Sequence, residues 1–164
     1  MTFSDFVTER QRPLLRFAMV LIGDARLAEE IVQDALVRAF ERWEHIAGLE
    51  HPNAYIRRMI VNEYLSWRRR FGRVVPFDPN VHAGSVADHA GTHAERDAVL
   101  ADLARLPRKQ RAVLTLRYYD GLSDPEIADV LGCTAGTVRG YASRALATLR
   151  IAIPTAMAVK EATS

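Results

Sequence analysis

An all-α protein of two small helical domains joined by a flexible linker is the fold that this 164-residue sequence predicts. Three observations predict it. Apolar residues recur at three-to-four spacing through residues 1–70 and again from about residue 95 to 150, the period of amphipathic helices. Helix-capping residues stand ahead of most of these stripes. Between them, FGRVVPFDPNVHAGSVADHAG loses all periodicity and carries two Pro and three Gly. A structureless loop of that length is unusual inside one compact domain, so it reads as a linker. The boundaries follow: a domain over 1–70, a linker over 71–91, a domain over 92–150 and a short frayed tail over 151–164.

In the first domain Thr2 and Asp5 can cap a helix carrying Phe3, Phe6 and Val7. Pro13 is expected to kink or restart it, and Leu14, Leu15, Phe17, Ala18, Leu21 and Ile22 continue its apolar surface to Gly23. Asp24 caps a second, longer helix whose stripe is Ala28, Ile31, Val32, Ala35, Leu36, Ala39, Phe40 and Trp43. Its opposite face holds Glu29, Glu30, Gln33, Asp34, Arg38 and Glu41. After a loop from Ile46 to His51, Pro52 suits the first turn of a third helix. That helix buries Ile56, Met59, Ile60 and Tyr64 and ends in Arg68-Arg69-Arg70. From Arg57 to Arg73 there are six arginines against one acid, Glu63. Arginines interleaved with Tyr55, Tyr64 and Trp67 combine phosphate attraction with stacking platforms, the mixture that unpaired bases require. A solvated basic face over core aromatics accounts for the same residues.

In the second domain Thr92 and Glu95 form a capping box ahead of the stripe Val99, Leu100, Leu103 and Leu106, which Pro107 ends. The next helix, Arg108 to Tyr119, is expected to bury Val113, Leu116 and one tyrosine, with Gly121 closing it. The following stretch, SDPEIADVLGCTAGTVRGYASRALATLR, has the pattern of a helix-turn-helix. Ser123 and Glu126 make a capping box, Ile127, Ala128 and Leu131 one apolar face, and Gly132 a left-handed terminator. Thr134 caps a second helix buried through Val138, Ala142, Ala145, Leu146 and Leu149. In such motifs the second helix lies in the DNA major groove. The face left over is small and basic: Ala135, Gly136, Arg139, Gly140, Ser143 and Arg144. A helical hairpin in a bundle would show the same apolar pattern.

Composition narrows the class. The net charge is only +2, yet 20 of the 22 cations are Arg, whose planar fork suits phosphates and guanine edges. A GC-rich codon bias explains that preference equally well. No run of 18 apolar residues exists and the N-terminus lacks a signal-peptide core, so no membrane partner and a cytoplasmic location are expected. The lone Cys133 excludes an internal disulfide and a multi-Cys zinc site. His82, His89 and His93 lack acid or thiol partners for a metal, and Gly91 interrupts the last two. A Gly-rich phosphate loop, a nucleophile elbow and paired carboxylates with His are all missing from the sequence. No enzyme activity, cofactor, metal or small-molecule substrate is expected.

The segments FSDFVTERQRPLLRFAMVLIGD, AEEIVQDALVRAFERW, AYIRRMIVNEYLSWRRR, LARLPRKQRAVLTLRYYDGLSDPEIADVLGC and GTVRGYASRAL, in that order and spacing, resemble the extracytoplasmic-function RNA polymerase sigma factors, in particular the compact SigE-like actinobacterial set. The resemblance covers most of the chain. It implies a three-helix region-two domain, a four-helix region-four domain and a promoter-recognition subunit of RNA polymerase. Core polymerase would be bound through Glu30, Gln33 and Asp34 on the clamp helices of the largest subunit, with Phe40 and Trp43 supporting the fold behind them. The flap of the second-largest subunit is a further contact. The minus-ten element would be melted and read by Asn53, Tyr55, Arg57, Arg58, Asn62, Trp67, Arg68 and Arg69. The minus-thirty-five element would be read by Thr134, Gly136, Thr137, Arg139, Gly140, Tyr141, Ser143 and Arg144. Many such proteins are held inactive by an anti-sigma factor clamped over both domains, which makes one a candidate partner.

Two departures stand out. Ser66 occupies a place where an acid is common. Gly140-Tyr141 replaces a hydroxyl residue and a long polar side chain. Glycine within a helix costs ~1 kcal/mol against alanine, and close backbone approach to DNA is the expected compensation. The alternative function is a stand-alone dimeric helix-turn-helix regulator, which needs a sensor or a dimerisation seam. Residues 1–70 show no heptad seam, ligand-type α/β pattern or phosphoacceptor strand.

Overall fold

The computed structural model describes the backbone of residues 1–70 and 93–161 and the side chains of residues 1–66 and 97–150. Everything in it is helical or turn, with no strand among the described residues. Contacts divide the chain into two compact units, Met1–Ala87 and Asp88–Ser164. The expected linker 71–91 and the Thr92 cap lie outside the described residues, as do His82, His89 and the side chain of His93. No described helix is long and apolar enough to cross a membrane.

The first unit holds α1 (Phe3–Ile22), α2 (Ala25–Glu41), the short α3 (Trp43–Ala47) and α4 (Pro52–Arg70). Local chemistry sets their ends. Thr2 and Asp5 form a reciprocal capping box. Gly23, at φ +76°, closes α1 in the left-handed region that a side chain would resist. Asp24 then accepts the Leu27 amide at 2.9 Å and starts α2. α1 packs on α2 and α4, and α2 on α4. The core is Phe6, Leu14, Phe17, Ala18 and Leu21 from α1, Ile31, Val32 and Ala35 from α2, Ile46 from α3, and Ile56, Ile60, Val61 and Tyr64 from α4.

Three expectations are corrected here. Pro13 does not restart α1, which runs through it as one helix. Its missing amide would have bonded the Glu9 carbonyl, which sits on an exposed turn that water can satisfy. Trp43 begins α3 and does not extend α2, so part of the expected loop is helical. Phe40 does not lie behind the α2 surface: it is 64% exposed, as Val37 is at 60%, with its ring 5.2 Å from that of Phe3. Trp43 is half-buried and stacks between Phe3 and Phe6.

An ion pair missed by the sequence pattern ties α2 to α4. Arg38 Nη2 donates to Glu63 Oε2 at 2.6 Å, with the Glu63 side chain 6% exposed and that of Arg38 40%. Removing one member of a buried pair leaves a charge that the interior must tolerate. Discounted for the exposure of Arg38, Arg38→Met is expected to destabilise the unit by about 1–3 kcal/mol. The companion change Glu63→Leu should recover most of that loss in a thermal-unfolding double-mutant cycle.

The second unit holds α5 (His93–Ala104), α6 (Arg108–Leu114), a π-helical turn (Thr115–Tyr119), α7 (Asp124–Leu131) and α8 (Ala135–Glu161). α6 and α7 pack on α8 around Leu106, Ala112, Val113, Leu116, Ile127, Val138, Ala142 and Ala145. The π turn, marked by the Asp120 amide bonding to the Thr115 carbonyl at 3.1 Å, inserts a wider turn and shifts the helical phase. Tyr118 and Tyr119 are thereby carried off the buried stripe and are both exposed, against the expectation that one is buried. Val99 is also exposed, at 58%, and leaves Leu106 as the buried anchor at that end. α8 continues through Pro154 to Glu161, where a break and a frayed tail were expected.

Candidate functional site

Three exposed surfaces gather the sequence-predicted residues. The first is one face of α2. Glu30, Gln33 and Asp34 are exposed there, opposite a stripe buried through Ile31, Val32 and Ala35. At 3.6 residues per turn Val37 and Phe40 fall on the same side as Gln33. An exposed apolar pair thus sits beside an acidic and amide rim. Sequence periodicity assigned Phe40 to the core and left Val37 unremarked. The signal that finds them is the coincidence of exposure with size, visible only once the partners of α2 are known.

The second surface is α4. Tyr55, Arg58, Met59 and Asn62, at spacings of three and four, line one open groove of about 340 Å³. An aromatic ring, a guanidinium, a thioether and a carboxamide on one wall can stack a base, hold a phosphate and hydrogen-bond a base edge. Two other predicted residues point elsewhere. Arg57 lies on a different side of α4, with its guanidinium 5.0 Å above the Phe17 ring, so it braces α4 against α1. Asn53 has its Oδ1 buried without a hydrogen-bond partner at the start of α4. Ser66 bonds the Glu63 carbonyl of its own helix at 3.1 Å. Trp67, Arg68 and Arg69 belong to the last turn of α4, and their side chains lie outside the described residues.

The third surface is the helix-turn-helix of α7 and α8. Ser123 and Glu126 close a reciprocal capping box, with the Ser123 amide 2.7 Å from the Glu126 carboxylate. Gly132, at φ +66°, makes the turn. Thr134 Oγ1 then accepts the Thr137 amide at 3.1 Å and contacts the Thr137 hydroxyl at 2.9 Å, so both threonines act first as the cap of α8. Arg117 in the π turn pairs with Asp124 at the head of α7 and anchors the motif to the preceding helix. With Val138, Ala142 and Ala145 buried, the outer face of α8 exposes Gly136, Arg139, Ser143 and Arg144, with Gly140 and Tyr141 half-buried beside them. Cys133 is free and half-buried in the turn.

The capping box gives a direct test of how the motif is held. Hydrogen bonds from the Ser123 amide and hydroxyl hold the Glu126 carboxyl below the usual carboxylate range. A depressed folded-state pKa means the contribution is full at neutral pH and is lost as the pH falls through that range. Separately, Ser123→Ala removes the N-cap hydroxyl and should cost about 1 kcal/mol, the usual worth of such a cap. In the unaltered protein, the protection factors of the amides at the start of α7, taken against the intrinsic exchange rate at each pH, should fall on acidification and recover on return to neutral pH.

Comparisons with known proteins find relatives over most of the chain. A family model described as Sigma-70 region 2 matches residues 6–74, and one described as Sigma-70, region 4 matches residues 96–149. An RNA polymerase sigma-E factor of Streptomyces avermitilis is 40% identical over 149 residues, spanning 90% of this chain and 83% of that protein. An ECF RNA polymerase sigma factor, SigL, of Mycobacterium tuberculosis is 36% identical over 148 residues, spanning 84% and 82%. Among solved structures, the sigma factor RpoE of Bartonella quintana, in complex with the anti-sigma factor NepR, is similar with a TM-score of 0.72 at 27% identity. That similarity covers 93% of this chain and 96% of the other.

Proposed function

The chain belongs to the sigma-70 family, as a member of its extracytoplasmic-function group, and from that membership we propose how its surfaces divide the work of promoter recognition. It is a sigma factor: it binds core RNA polymerase and directs promoter-specific initiation, reading the minus-ten element with the first domain and the minus-thirty-five element with the helix-turn-helix. The first domain, 1–70, docks by the outer face of α2 on the clamp helices of the largest polymerase subunit. Glu30, Gln33 and Asp34 form the polar rim of that contact, and Val37 and Phe40 its apolar centre, the usual anatomy of a protein interface. The linker 71–91 carries the chain to the second domain, 92–150, which rests on the flap of the second-largest subunit.

The observation that carries the reading of the first domain is the grouping of Tyr55, Arg58 and Asn62 around one groove. Melting a promoter costs a few kcal/mol per unstacked base. Stacking on Tyr55, hydrogen bonding to Asn62 and backbone contacts from Arg58 offset that cost. Arg68, Arg69 and Trp67 serve the same element, the unpartnered Oδ1 of Asn53 is left to accept from it, and Arg57 holds α4 in place on Phe17. In the second domain Arg139 and Arg144 supply guanine or phosphate contacts, Ser143 a hydroxyl, and Gly136 and Gly140 close approach. Thr134 and Thr137 fix the helix start and present its amide end to a phosphate.

Work of this kind is binding and conformational, so the protein has no catalytic residue of its own, and it acts in the cytoplasm where its polymerase is found. The similarity to a sigma factor seen with NepR supports an anti-sigma factor as a regulator of this chain as well. Site-specific photocrosslinking tests the assignment. A crosslinker at Gln33 should label the largest polymerase subunit, one at Tyr55 the single-stranded minus-ten segment, and one at Ser143 the minus-thirty-five duplex. Labelling of duplex DNA from Gln33 would contradict it.

A further inference from the structure

Gly140 and Tyr141 are the residues of α8 whose identities the helix itself does not explain. Gly140 has no positive φ, and a Cβ built there would make only an ordinary contact, 3.8 Å from Arg144 Nη2. Nothing in the protein's own packing demands a glycine. Arg144, however, sits four residues on, and helical side chains lean back toward the N-terminus. Its guanidinium lies alongside Gly140 and 5.2 Å from the centroid of the Tyr141 ring. Arg139 shows the glycine half of the same arrangement, with its Nη2 3.9 Å from a Cβ built at Gly136.

We propose that Tyr141 is the positioning residue for Arg144: its ring, with the bare backbone at Gly140, forms a shelf that sets the guanidinium and through it the base-pair preference of α8. The chemistry favours this division. Stacking on an aromatic ring engages the face of the guanidinium and leaves its N–H donors, which lie in the plane, directed outward. Bidentate recognition of guanine O6 and N7 needs that plane presented at one angle. An arginine already laid on a shelf loses less rotamer freedom on meeting a base edge than one free in solvent. The same geometry gives Gly140 a role: a Cβ alone would touch the guanidinium at 3.8 Å, and a branched side chain extending beyond it would crowd that group. This inference deepens the reading of α8 as the minus-thirty-five helix and rests on it.

The test uses the full-length protein assembled with core polymerase and a promoter duplex library. The library is randomised across the minus-thirty-five segment above a fixed minus-ten segment, and bound molecules are sequenced. Wild type should enrich particular base pairs, and Arg144→Ala should lose one of them. Tyr141→Leu should weaken that same preference about two- to fivefold, the worth of an exposed cation–π contact. Tyr141→Phe should keep it, and the other positions should stay unchanged in every variant. Gly140→Val leaves the ring in place and should weaken the same base pair. In the polymerase-free protein the Arg144 side-chain protons should show an upfield ring-current shift in wild type and Tyr141→Phe, lost in Tyr141→Leu.

Loss of a preference by Arg144→Ala with none weakened by Tyr141→Leu would overturn the positioning role alone. If Tyr141→Leu does not fold, an unchanged preference in Gly140→Val overturns it instead. A wild type that enriches nothing would overturn the minus-thirty-five reading and this inference together.

Discussion

Alanine at both Gln33 and Asp34 is expected to abolish binding to core RNA polymerase while leaving helix content and melting temperature unchanged. Both side chains are exposed on α2, and the core stripe on the opposite side does not involve them. Interface energy concentrates in a few residues, each costing about 2 kcal/mol or more on truncation. That corresponds to a loss of about 30-fold for each and near 1,000-fold for the pair. Phe40→Ala should approach the same defect if the ring, 64% exposed, is the apolar centre proposed for the contact. A competition assay against the wild-type chain for limiting core enzyme, with circular dichroism on each variant, separates lost docking from lost folding.

Tyr55→Ala is expected to leave assembly with core polymerase intact and to cut the rate of promoter opening. Tyr55 lines the α4 groove with Arg58, Met59 and Asn62, and no residue of α2 lines it. A base stacked on an aromatic side chain is worth about 1–3 kcal/mol, so open-complex formation should fall about five- to 150-fold. A template with the minus-ten segment already mismatched should recover part of the loss, since the unpairing cost is then removed. Permanganate reactivity of the melted segment reports opening directly.

What could be read in the sequence was whatever depends on neighbours along the chain. The Thr2 and Asp5 cap, the capping box at Ser123–Glu126, the Asp24 cap and the left-handed Gly132 all involve residues within a turn of one another, and all are present. The stripe of α2 and the exposed face of α8 follow from period alone. Features that depend on a distant partner escaped. Arg38 looked like one more solvated cation until α4 brought Glu63 against it. Arg57 and Arg58 are adjacent in sequence and equally basic, yet a helix sends neighbours to different sides: Arg58 reaches the groove and Arg57 rests on Phe17. Phe40 fits the buried period, but α2 ends at Glu41 and its ring stacks only at the edge, on Phe3. The π turn moved Tyr118 and Tyr119 off the stripe by a change of phase that no regular period anticipates.

The pair Gly140–Tyr141, which departs from the expected pattern, is also where propensity and function disagree most openly. A glycine that lowers helix stability stands beside Arg144, and on the proposed shelf local stability yields to the placement of a reading group.

Reconstituted initiation tests the whole account most directly. Purified protein is combined with core RNA polymerase and a genomic promoter library, and start sites are mapped alongside binding to duplex and single-stranded DNA without polymerase. Start sites should share a minus-ten and a minus-thirty-five sequence and all depend on the added protein, with weak duplex binding by the protein alone. Tight, sequence-specific binding of a dimer to duplex DNA in the absence of polymerase, with no promoter-specific transcripts, would contradict it.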